Sequence, residues 1–470
     1  MERRYIYLSW LVILLFSLFR LLYILSCSID LSPDEAQYWN WSRHLSISYY
    51  TKGPLIAYFL KITTAVFGNN VLGVRSLALI ISTVSYIAVF YFTKKIFDTK
   101  TAFIAVVVGE FLPISNAGAI ISHVDAPLLL LWTFSFIYAY KMENKKTVSW
   151  IFLGVLIGLG FLAKYSMYLF VFSLVLYLLF TKKGKIIVSN RFILMLLAII
   201  IVSMPVFIWS FEHNFANFSH LFHLTKIGEG EWLSLSSLGD YIGGQAGVLS
   251  PVFFIVYIIS MFFCLKKKLY YLFFFSFPVF LLFLIVSIHT SVYANWPGCS
   301  YVAGIIAAAL YLKNKKKLLI LCIVVAFLFN FFAYGNNFLY IFLKNPKQNP
   351  ANRLKGWSEL AHEVDNIRKK YPQSFVISDN YKISSEMAFY LKDQPQTFVF
   401  SPDKITQYTF WEKHPEGKLA IFITYDDDKV PGNFEKTCTE EKTVNIIKMN
   451  KTIRTFTIWS CKVDKKRFVL

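Results

Sequence analysis

Long apolar runs recur along most of the sequence, separated by short polar or lysine-rich breaks. They lie near residues 5–27, 70–93, 101–118, 125–140, 149–163, 165–180, 192–211, 240–264, 270–288, 296–312 and 318–343. A membrane-spanning helix needs about 20 apolar residues to cross about 30 Å of hydrocarbon, and the shorter runs are expected to be tilted or half-buried. The pattern predicts a polytopic α-helical membrane protein with about 11 transmembrane helices.

The composition agrees with a membrane protein and excludes an ordinary soluble globular chain. Hydrophobic residues make up 56% of the sequence and charged residues 16%, and the mean hydropathy is +0.50. The net charge is +20, but much of the positive charge lies in short runs between apolar segments, where it sets membrane topology. We therefore expect no nucleic-acid partner.

Lysine and arginine are distributed unevenly between alternate connections. One set of connections carries Arg3, Arg4, Lys94, Lys95, Lys100, Lys141, Lys145, Lys146, Lys182, Lys183, Lys185, Arg191, Lys266, Lys267, Lys268, Lys313, Lys315, Lys316 and Lys317. The other set holds little beyond Arg43, Lys52, Lys61, Lys164 and Lys226. The positive-inside rule makes the first set cytoplasmic, which predicts a cytoplasmic N-terminus and an extracytoplasmic C-terminal region.

The composition changes near residue 345 to that of a soluble domain. Helix-like segments begin at Leu354 and at residue 384, and a turn is expected at Asn450. Strand-like segments lie at 374–378, 397–400, 419–425, 443–449 and 455–460. We predict a membrane domain over 1–344, with an extracytoplasmic loop at 28–69, and a soluble extracytoplasmic α/β domain over 345–470. Within the loop, residues 53–67 are expected to form a helix that lies in the membrane interface.

A polar segment at 32–55 carries the acids Asp34 and Glu35 between two stretches that read as membrane-embedded. Charge this dense beside a bilayer is costly, so the segment is interpreted as a functional site; the alternative is a solvated connector. Adjacent side chains on a helix diverge by about 100°, so one acid should face the site while the other anchors the loop or meets a cation. Asp125 is a third candidate catalytic acid, and its alternative role is a helix N-cap.

Two lysines are candidates for binding a donor phosphate. Lys52 precedes Gly-Pro at the expected start of a helix, where a cation and free backbone N–H groups can receive a phosphate. Lys164 and its neighbour Tyr165 interrupt an apolar stretch, so Lys164 must pair with an anion or snorkel to the interface. Further residues are assigned to substrate binding: Arg43, His44, Tyr50, Gln245 and Asn295.

The six cysteines show no spacing typical of a zinc site. Cys438 and Cys461 share the polar C-terminal region and would form a disulfide if that region faces an oxidising compartment. Cys27, Cys264, Cys299 and Cys322 lie in or beside apolar segments and are interpreted as packing residues. A divalent metal stays open, because Glu35, His44, His213, His220 and His223 match no trusted ligand pattern.

Several motifs resemble bacterial members of glycosyltransferase family 39, which have the GT-C fold. They include "DEAQYWNWSRHLSISYYTKGPL", "GVRSLAL", "VDAPLLLLW", "LGLGFLAKYS", "GGQAGVLSP", "ANWPGCSY", "GWSELAHEV", "SSEMAFYL" and "TQYTFW". The chain is thus similar to dolichyl-phosphate-mannose protein mannosyltransferases and to the 4-amino-4-deoxy-L-arabinose lipid A transferase. The resemblance implies a bacterial inner-membrane enzyme with a polyprenyl-phosphate-sugar donor and an acceptor at the outer face.

By position in these motifs, Asp34 matches the catalytic aspartate of the family and Glu35 its neighbour. Lys52 matches the phosphate-binding lysine, and Asp125 the aspartate of the second loop. The sequence departs from the family at Gly53, where many relatives have proline, and at His123, where a small hydroxyl residue is common.

The leading hypothesis is a membrane glycosyltransferase that modifies lipid A or another cell-envelope glycolipid. Transfer to Ser or Thr of a protein, as in protein O-mannosyltransferases, is the alternative within the same class. A lipid or polysaccharide flippase or transporter is the alternative of a different class, but such proteins place their polar residues at mid-membrane between related halves, and no half-repeat is evident. A membrane anchor that presents the C-terminal domain as a binding module would leave the segment around Asp34 unexplained.

Overall fold

The computed structural model describes residues 2–225, 233–334, 347, 349–400, 404–411, 419–425, 430–431 and 437–463. The chain forms two compact units. Unit 1 comprises Met1–Tyr23, Ser46–Ile56 and Arg75–Ala333, and unit 2 comprises Ile24–Leu45, Ala57–Val74 and Tyr334–Leu470. Unit 2 therefore combines the C-terminal region with two early segments of the chain. The predicted boundary between residues 344 and 345 assigns these two segments to the membrane domain instead. That predicted division stays a prediction.

Helices account for the described residues up to 334, apart from short 3₁₀ turns and loops. They are α1 (Glu2–Leu25), α2 (Pro33–Arg43), α3 (Leu55–Phe67), α4 (Val71–Ile96), α5 (Thr99–Phe111), α6 (Pro113–Gly118), α7 (Asp125–Ala139), α8 (Thr147–Ala163), α9 (Tyr168–Phe180), α10 (Asn190–Glu212), α11 (Ala216–Thr225), α12 (Leu235–Leu249), α13 (Pro251–Lys266), α14 (Tyr270–Phe274), α15 (Phe277–Val286), α16 (Tyr301–Leu312) and α17 (Lys316–Tyr334). The helical segments follow the apolar runs closely, because apolar side chains and internal backbone hydrogen bonds are what a membrane requires.

Four of these helices, α1, α4, α10 and α17, are long and apolar enough to cross a membrane in the described part of the chain. The pair α12 and α13 would be a fifth span, and the remaining apolar helices are shorter. The protein is a multi-pass membrane protein, and the number of about 11 spans stays a prediction. The apolar run near 240–264 is divided between two helices, because the chain bends by 100° between α12 and α13. Ser250 has a φ of 67° there, and Pro251 starts the next helix because it needs no amide partner.

A buried charge network joins α1 to α5 and α6. Arg20 Nη2 lies 2.7 Å from Glu110 Oε2, and neither side chain is exposed. The same guanidinium donates to Asn116 Oδ1 over 3.0 Å, and Asn116 Nδ2 donates to the Glu110 carbonyl over 2.7 Å. Arg20 and Glu110 are not among the residues singled out from the sequence, although a charge inside an apolar run is a signal in itself.

The C-terminal part of unit 2 is the expected α/β domain. Its helices are α18 (Trp357–Arg368) and α19 (Tyr381–Tyr390), and its strands are β1 (Phe375–Ser378), β2 (Thr397–Val399), β3 (Leu419–Tyr425), β4 (Cys438–Lys448) and β5 (Lys451–Lys462). The sheet order is β2-β1-β3-β5-β4. Strand β1 is parallel to β2 and β3, whereas β5 is antiparallel to β3 and β4. The helices and one face of the sheet bury a common apolar core.

The hairpin of β4 and β5 turns at Met449 and Asn450, both of which have positive φ. This confirms the expected turn at Asn450, since asparagine tolerates the left-handed conformation that a tight hairpin requires. At the other end of the hairpin, Cys438 and Cys461 are register partners. They are joined by a disulfide.

Helix α2 packs within unit 2 against the C-terminal α/β domain. The rings of Trp39 and Phe389 lie 4.9 Å apart in an edge contact, and Asn40 Nδ2 donates to the Tyr408 hydroxyl over 3.0 Å. Just before α2, the backbone N–H of Leu31 donates to the Tyr390 hydroxyl over 2.7 Å. The polar segment around Asp34 is therefore held by the same compact unit as the C-terminal sheet.

We predict that Arg20→Ala and Glu110→Ala each lower the free energy of unfolding by about 3–5 kcal/mol, because each leaves a buried charge without its partner. The double variant Arg20→Met with Glu110→Leu should be more stable than either single variant. Thermal unfolding of the full chain in detergent measures this. Lys313→Gln, which breaks a half-exposed pair with Asp98, is the control and should cost less than about 1 kcal/mol. Single variants as stable as this control would contradict the prediction.

Candidate active site

Asp125 is the centre of a polar cluster in unit 1. Its Oδ1 atom accepts a hydrogen bond from Lys164 Nζ over 2.6 Å, and its Oδ2 atom accepts one from Asn295 Nδ2 over 2.6 Å. The Nδ1 atom of His123 lies 3.1 Å from the same Oδ2 atom. The structure thus brings together Asp125, Lys164 and Asn295, which were singled out separately in the sequence. It adds His123, where the sequence differs from the family that it resembles.

The alternative role of Asp125 as an N-cap is wrong. Val124 occupies the cap position of α7, no side chain caps it, and Asp125 is the first helical residue. Both carboxylate oxygens are directed to tertiary partners instead. Because an ion pair and two polar contacts favour the charged form, this carboxylate is a poor base and a good anchor for the groups around it.

Lys164 reaches Asp125 because the chain is extended at the break between two helical segments. Helix α8 ends at Ala163, Lys164 has extended backbone angles, and a 3₁₀ turn starts at Tyr165. The lysine side chain is 13% exposed. Pairing with Asp125, rather than snorkelling alone, accounts for a lysine at this position.

The loop that carries Lys52 packs on the end of α8. A Cβ atom added at Gly53 would lie 2.1 Å from the Leu162 carbonyl oxygen. Only glycine fits so close an approach, and a proline at this position would meet the same oxygen. A glycine at position 53, where many members of the family that the chain resembles have proline, therefore has a steric reason. Lys52 is next to Gly53 in the chain, and Leu162 lies two residues before Lys164. The contact between Gly53 and Leu162 therefore holds the backbone beside Lys52 against the end of α8, which Lys164 follows.

Tyr50 and Tyr165 both contact α11. The Tyr50 ring lies 4.8 Å from the His220 ring, and Asn217 Nδ2 donates to the Tyr165 hydroxyl over 3.3 Å. Asn217 is buried and also accepts from Ser210 Oγ over 2.8 Å. Burial raises the pKa of Tyr50. Asn217 is not among the residues singled out from the sequence, because its contact with Tyr165 joins positions 52 residues apart.

Gln245 is fully buried, and its amide is used inside the protein. Its Nε2 atom donates to the Ala294 carbonyl over 3.1 Å, and its Oε1 atom accepts from the Tyr301 hydroxyl. Ala294 immediately precedes Asn295, so these bonds hold the loop that presents Asn295 to Asp125. The predicted contact of Gln245 with substrate stays a prediction, and the structure gives it internal partners.

In unit 2, the two adjacent acids have different environments. Glu35 is buried and forms a capping box with Ser32, whose backbone N–H donates to Glu35 Oε2 over 2.9 Å. Asp34 is 30% exposed, and its Oδ2 atom accepts from Arg353 Nη2 over 3.2 Å. The sequence predicts that one acid faces the site while the other anchors the loop or meets a cation. Glu35 has the anchoring role, but the acid that meets a cation is Asp34, and which acid faces the site stays a prediction. Arg353 was not among the predicted site residues, since it is 319 positions away from its partner.

Arg43 and His44 end α2 and pack against aromatic rings. The Arg43 guanidinium carbon lies 4.8 Å above the Trp39 ring, and burial lowers the pKa of Arg43. The His44 ring lies 4.6 Å from the Trp411 ring. Both residues fix the end of α2, and their assignment to substrate binding stays a prediction. Among the described residues, no group of three or more His, Cys, Asp or Glu side chains is arranged to hold a metal.

Comparisons with known proteins agree with this architecture. A family model described as dolichyl-phosphate-mannose-protein mannosyltransferase matches residues 51–209. The chain is 24% identical over 397 residues to the lipid A galacturonosyltransferase RgtD of Rhizobium johnstonii, with 82% of each chain covered. It is 27% identical over 150 residues, or 28% of each chain, to the undecaprenyl phosphate-alpha-4-amino-4-deoxy-L-arabinose arabinosyl transferase of Pseudomonas savastanoi.

Among solved structures, the chain matches ArnT from Cupriavidus metallidurans bound to undecaprenyl phosphate. The TM-score is 0.64 at 12% identity, over 95% of this chain and 97% of that chain. The structural match shows the GT-C fold, and the sequence matches confirm the resemblance to glycosyltransferase family 39. The chain is accordingly a glycosyltransferase.

We predict that Gly53→Ala lowers the rate of sugar transfer by about a hundredfold. The added methyl group displaces the loop and Lys52 with it, and a displacement of about 1 Å in a positioned group can reduce the rate by that factor. Gly243→Ala is the matched control, since a Cβ added there meets nothing within 4 Å. Initial rates are measured in membranes that contain equal amounts of each variant. Full activity of Gly53→Ala would show that the contact with Leu162 does not matter for the reaction.

Proposed function

We propose that this chain, a membrane glycosyltransferase that resembles glycosyltransferase family 39, transfers one monosaccharide from a polyprenyl-phosphate sugar to a lipid A-like glycolipid. The donor class is supported by the undecaprenyl phosphate named for the ArnT structure and the arabinosyl transferase. The acceptor class is supported by the lipid A galacturonosyltransferase, which is matched over most of its length. The observation that carries the proposal is the Asp125 cluster. It fixes the side chain of Lys164 at the end of an apolar helix, where an ammonium group can bind a phosphate.

The donor phosphate is bound by Lys164 and Lys52. Asp125 fixes the ammonium group of Lys164, and Asn295 and His123 fix Asp125. Asp125 is thus a positioning residue rather than a base. A cation held in place before the substrate arrives costs no reorganisation when charge develops on the leaving phosphate.

Asp34 is the catalytic carboxylate in this proposal, and Glu35 is the residue that caps α2. In the reaction, an acceptor oxygen forms a bond to the anomeric carbon, and the bond between that carbon and the phosphate oxygen breaks. The electron pair leaves with the polyprenyl phosphate. A phosphate acceptor is already a nucleophile, so Asp34 stabilises the positive charge of the oxocarbenium-like transition state or orients the acceptor. A hydroxyl acceptor would instead give its proton to Asp34.

The proposed orientation places the N-terminus in the cytoplasm and the C-terminal α/β domain outside it, in the periplasm of a bacterial cell. The excess of lysine and arginine in one set of connections supports it. The disulfide between Cys438 and Cys461 supports it independently, because such bonds persist in oxidising compartments. The reaction then takes place at the outer face of the inner membrane, with a donor that has already crossed.

We predict that Asp34→Asn lowers sugar transfer by about a hundredfold or more, since a positioned carboxylate contributes about that much to such reactions. Asp393→Asn is a matched control, because Asp393 also pairs with an arginine of the same unit. Membranes are supplied with radiolabelled polyprenyl-phosphate sugars, and the products are separated into lipid and protein fractions. Label in the glycolipid fraction supports the proposal, and label in protein supports the O-mannosyltransferase alternative. No product from any donor would contradict both and favour a transporter.

We predict that a cysteine at position 370 reacts with a membrane-impermeant maleimide in intact spheroplasts, whereas one at position 182 reacts only after permeabilisation. Lys370→Cys and Lys182→Cys are made in a Cys27→Ser background, because Cys27 is exposed. Both lysines are exposed. The reverse pattern of labelling would overturn the proposed orientation.

A further inference from the structure

Arg353 is a mostly exposed cation beside Asp34. It lies in a 3₁₀ turn, Pro350–Leu354, that Asn349 caps through its side chain. Its side chain is 58% exposed, and Nη2 lies 3.2 Å from Asp34 Oδ2. The backbone is fixed as well, because the Arg353 carbonyl accepts from Trp357 Nε1 over 2.9 Å.

The pair of Arg353 and Asp34 is not needed to hold α2. A solvent-exposed ion pair contributes about 0–1 kcal/mol. The bonds from Asn40 to Tyr408 and from Leu31 to Tyr390 are better placed to fix the helix. The position of Arg353 therefore calls for an explanation other than stability.

The chemistry of the guanidinium group supplies one. Asp34 uses one N–H of Nη2, and among the described residues the side chain of Arg353 has no other hydrogen-bond partner. Nη2 carries two N–H groups, one in the planar fork with Nε and one in the fork with Nη1. Whichever of them Asp34 accepts, the other fork is left to match the oxygens of a phosphate. A cation that bridges two anions also offsets the repulsion between a carboxylate and a phosphate brought near each other.

Two other cations of the same region are built differently. Arg454 and Lys355 are both buried, and Arg454 stacks on the Trp357 ring with its guanidinium carbon 4.5 Å from the centroid. Burial lowers the pKa of Arg454, and the nearby acids Glu386 and Asp30 oppose that shift. These cations are enclosed by their own unit, whereas Arg353 is accessible to a ligand.

We propose that Arg353 binds the phosphate group of the acceptor beside Asp34 and thereby selects phosphorylated glycolipids. The inference deepens the proposed function and rests on it. Arg353 contacts the acceptor and not the donor, so it determines acceptor specificity and takes no part in release of the polyprenyl phosphate.

The test compares the intact protein with Arg353→Gln and Arg353→Lys in detergent, with a polyprenyl-phosphate sugar as donor. The acceptors are lipid A that carries its phosphates and the same lipid after dephosphorylation. Arg353→Gln should raise KM for the phosphorylated acceptor by about tenfold or more, the effect of a lost charge-assisted hydrogen bond. Arg353→Lys should restore part of the loss. KM for the donor and KM for the dephosphorylated acceptor should stay within about twofold of the intact protein.

Arg368→Gln is the control, because Arg368 forms an ion pair with Asp393 in the same unit. It should leave both acceptor constants unchanged, and thermal unfolding should show that all variants are folded. An unchanged KM for the phosphorylated acceptor in Arg353→Gln overturns the inference while leaving the proposed function intact. A raised KM for the donor also overturns it, because the bound phosphate would then be the donor's. If the intact protein transfers sugar to neither lipid, the proposed function fails first.

Discussion

A carboxylate at the edge of an apolar helix must find partners inside the protein, and this requirement organises unit 1. Asp125 satisfies it with Lys164, Asn295 and His123. Each partner comes from a different part of the chain: a break between two helices, a loop before α16 and the turn before α7. The cost of an unpaired charge in a membrane makes these three segments meet at one place. The buried pair of Arg20 and Glu110 meets the same requirement elsewhere in the unit.

In unit 2, the C-terminal α/β domain supports an early segment of the chain. Helix α2 is sequence-distant from the sheet, yet its aromatic and amide side chains pack on α19 and Tyr408. The N-terminus of α18 is tied to the same segment, because Asp30 Oδ2 accepts from the Trp357 backbone N–H over 2.8 Å. A segment as short and polar as the one around Asp34 cannot bury enough apolar surface to fold alone. The α/β domain supplies the missing surface, and the accessible position of Asp34 depends on it.

The element order could be predicted from the sequence because apolar runs and strand patterns are local signals. The bend at Ser250 could not be predicted from the apolar run, which continues through it, although Pro251 marks a helix start. Within the candidate site, Asp34, Asp125, Lys164 and Asn295 stood out as polar residues beside apolar runs. The pairing of Asp34 with Arg353 could not be read from the sequence, because it depends on how residues far apart along the chain come together. Gln245 was found by the same signal as Asn295, but only the structure shows that its amide is used internally.

The two aspartates show how environment separates the roles of identical side chains. Asp125 has an ion pair and two further polar partners, so its charge is fully committed to holding Lys164 in place. Asp34 has one partner in the described structure, the exposed Arg353. Its neighbour Glu35 caps the start of α2, so the carboxylate of Asp34 is not needed for that role. A reacting carboxylate must be able to change partners during the reaction, whereas a positioning carboxylate must not. On this physical ground the proposed mechanism assigns the chemistry to Asp34, and it assigns to Asp125 the positioning of Lys164, the cation proposed to receive the leaving phosphate.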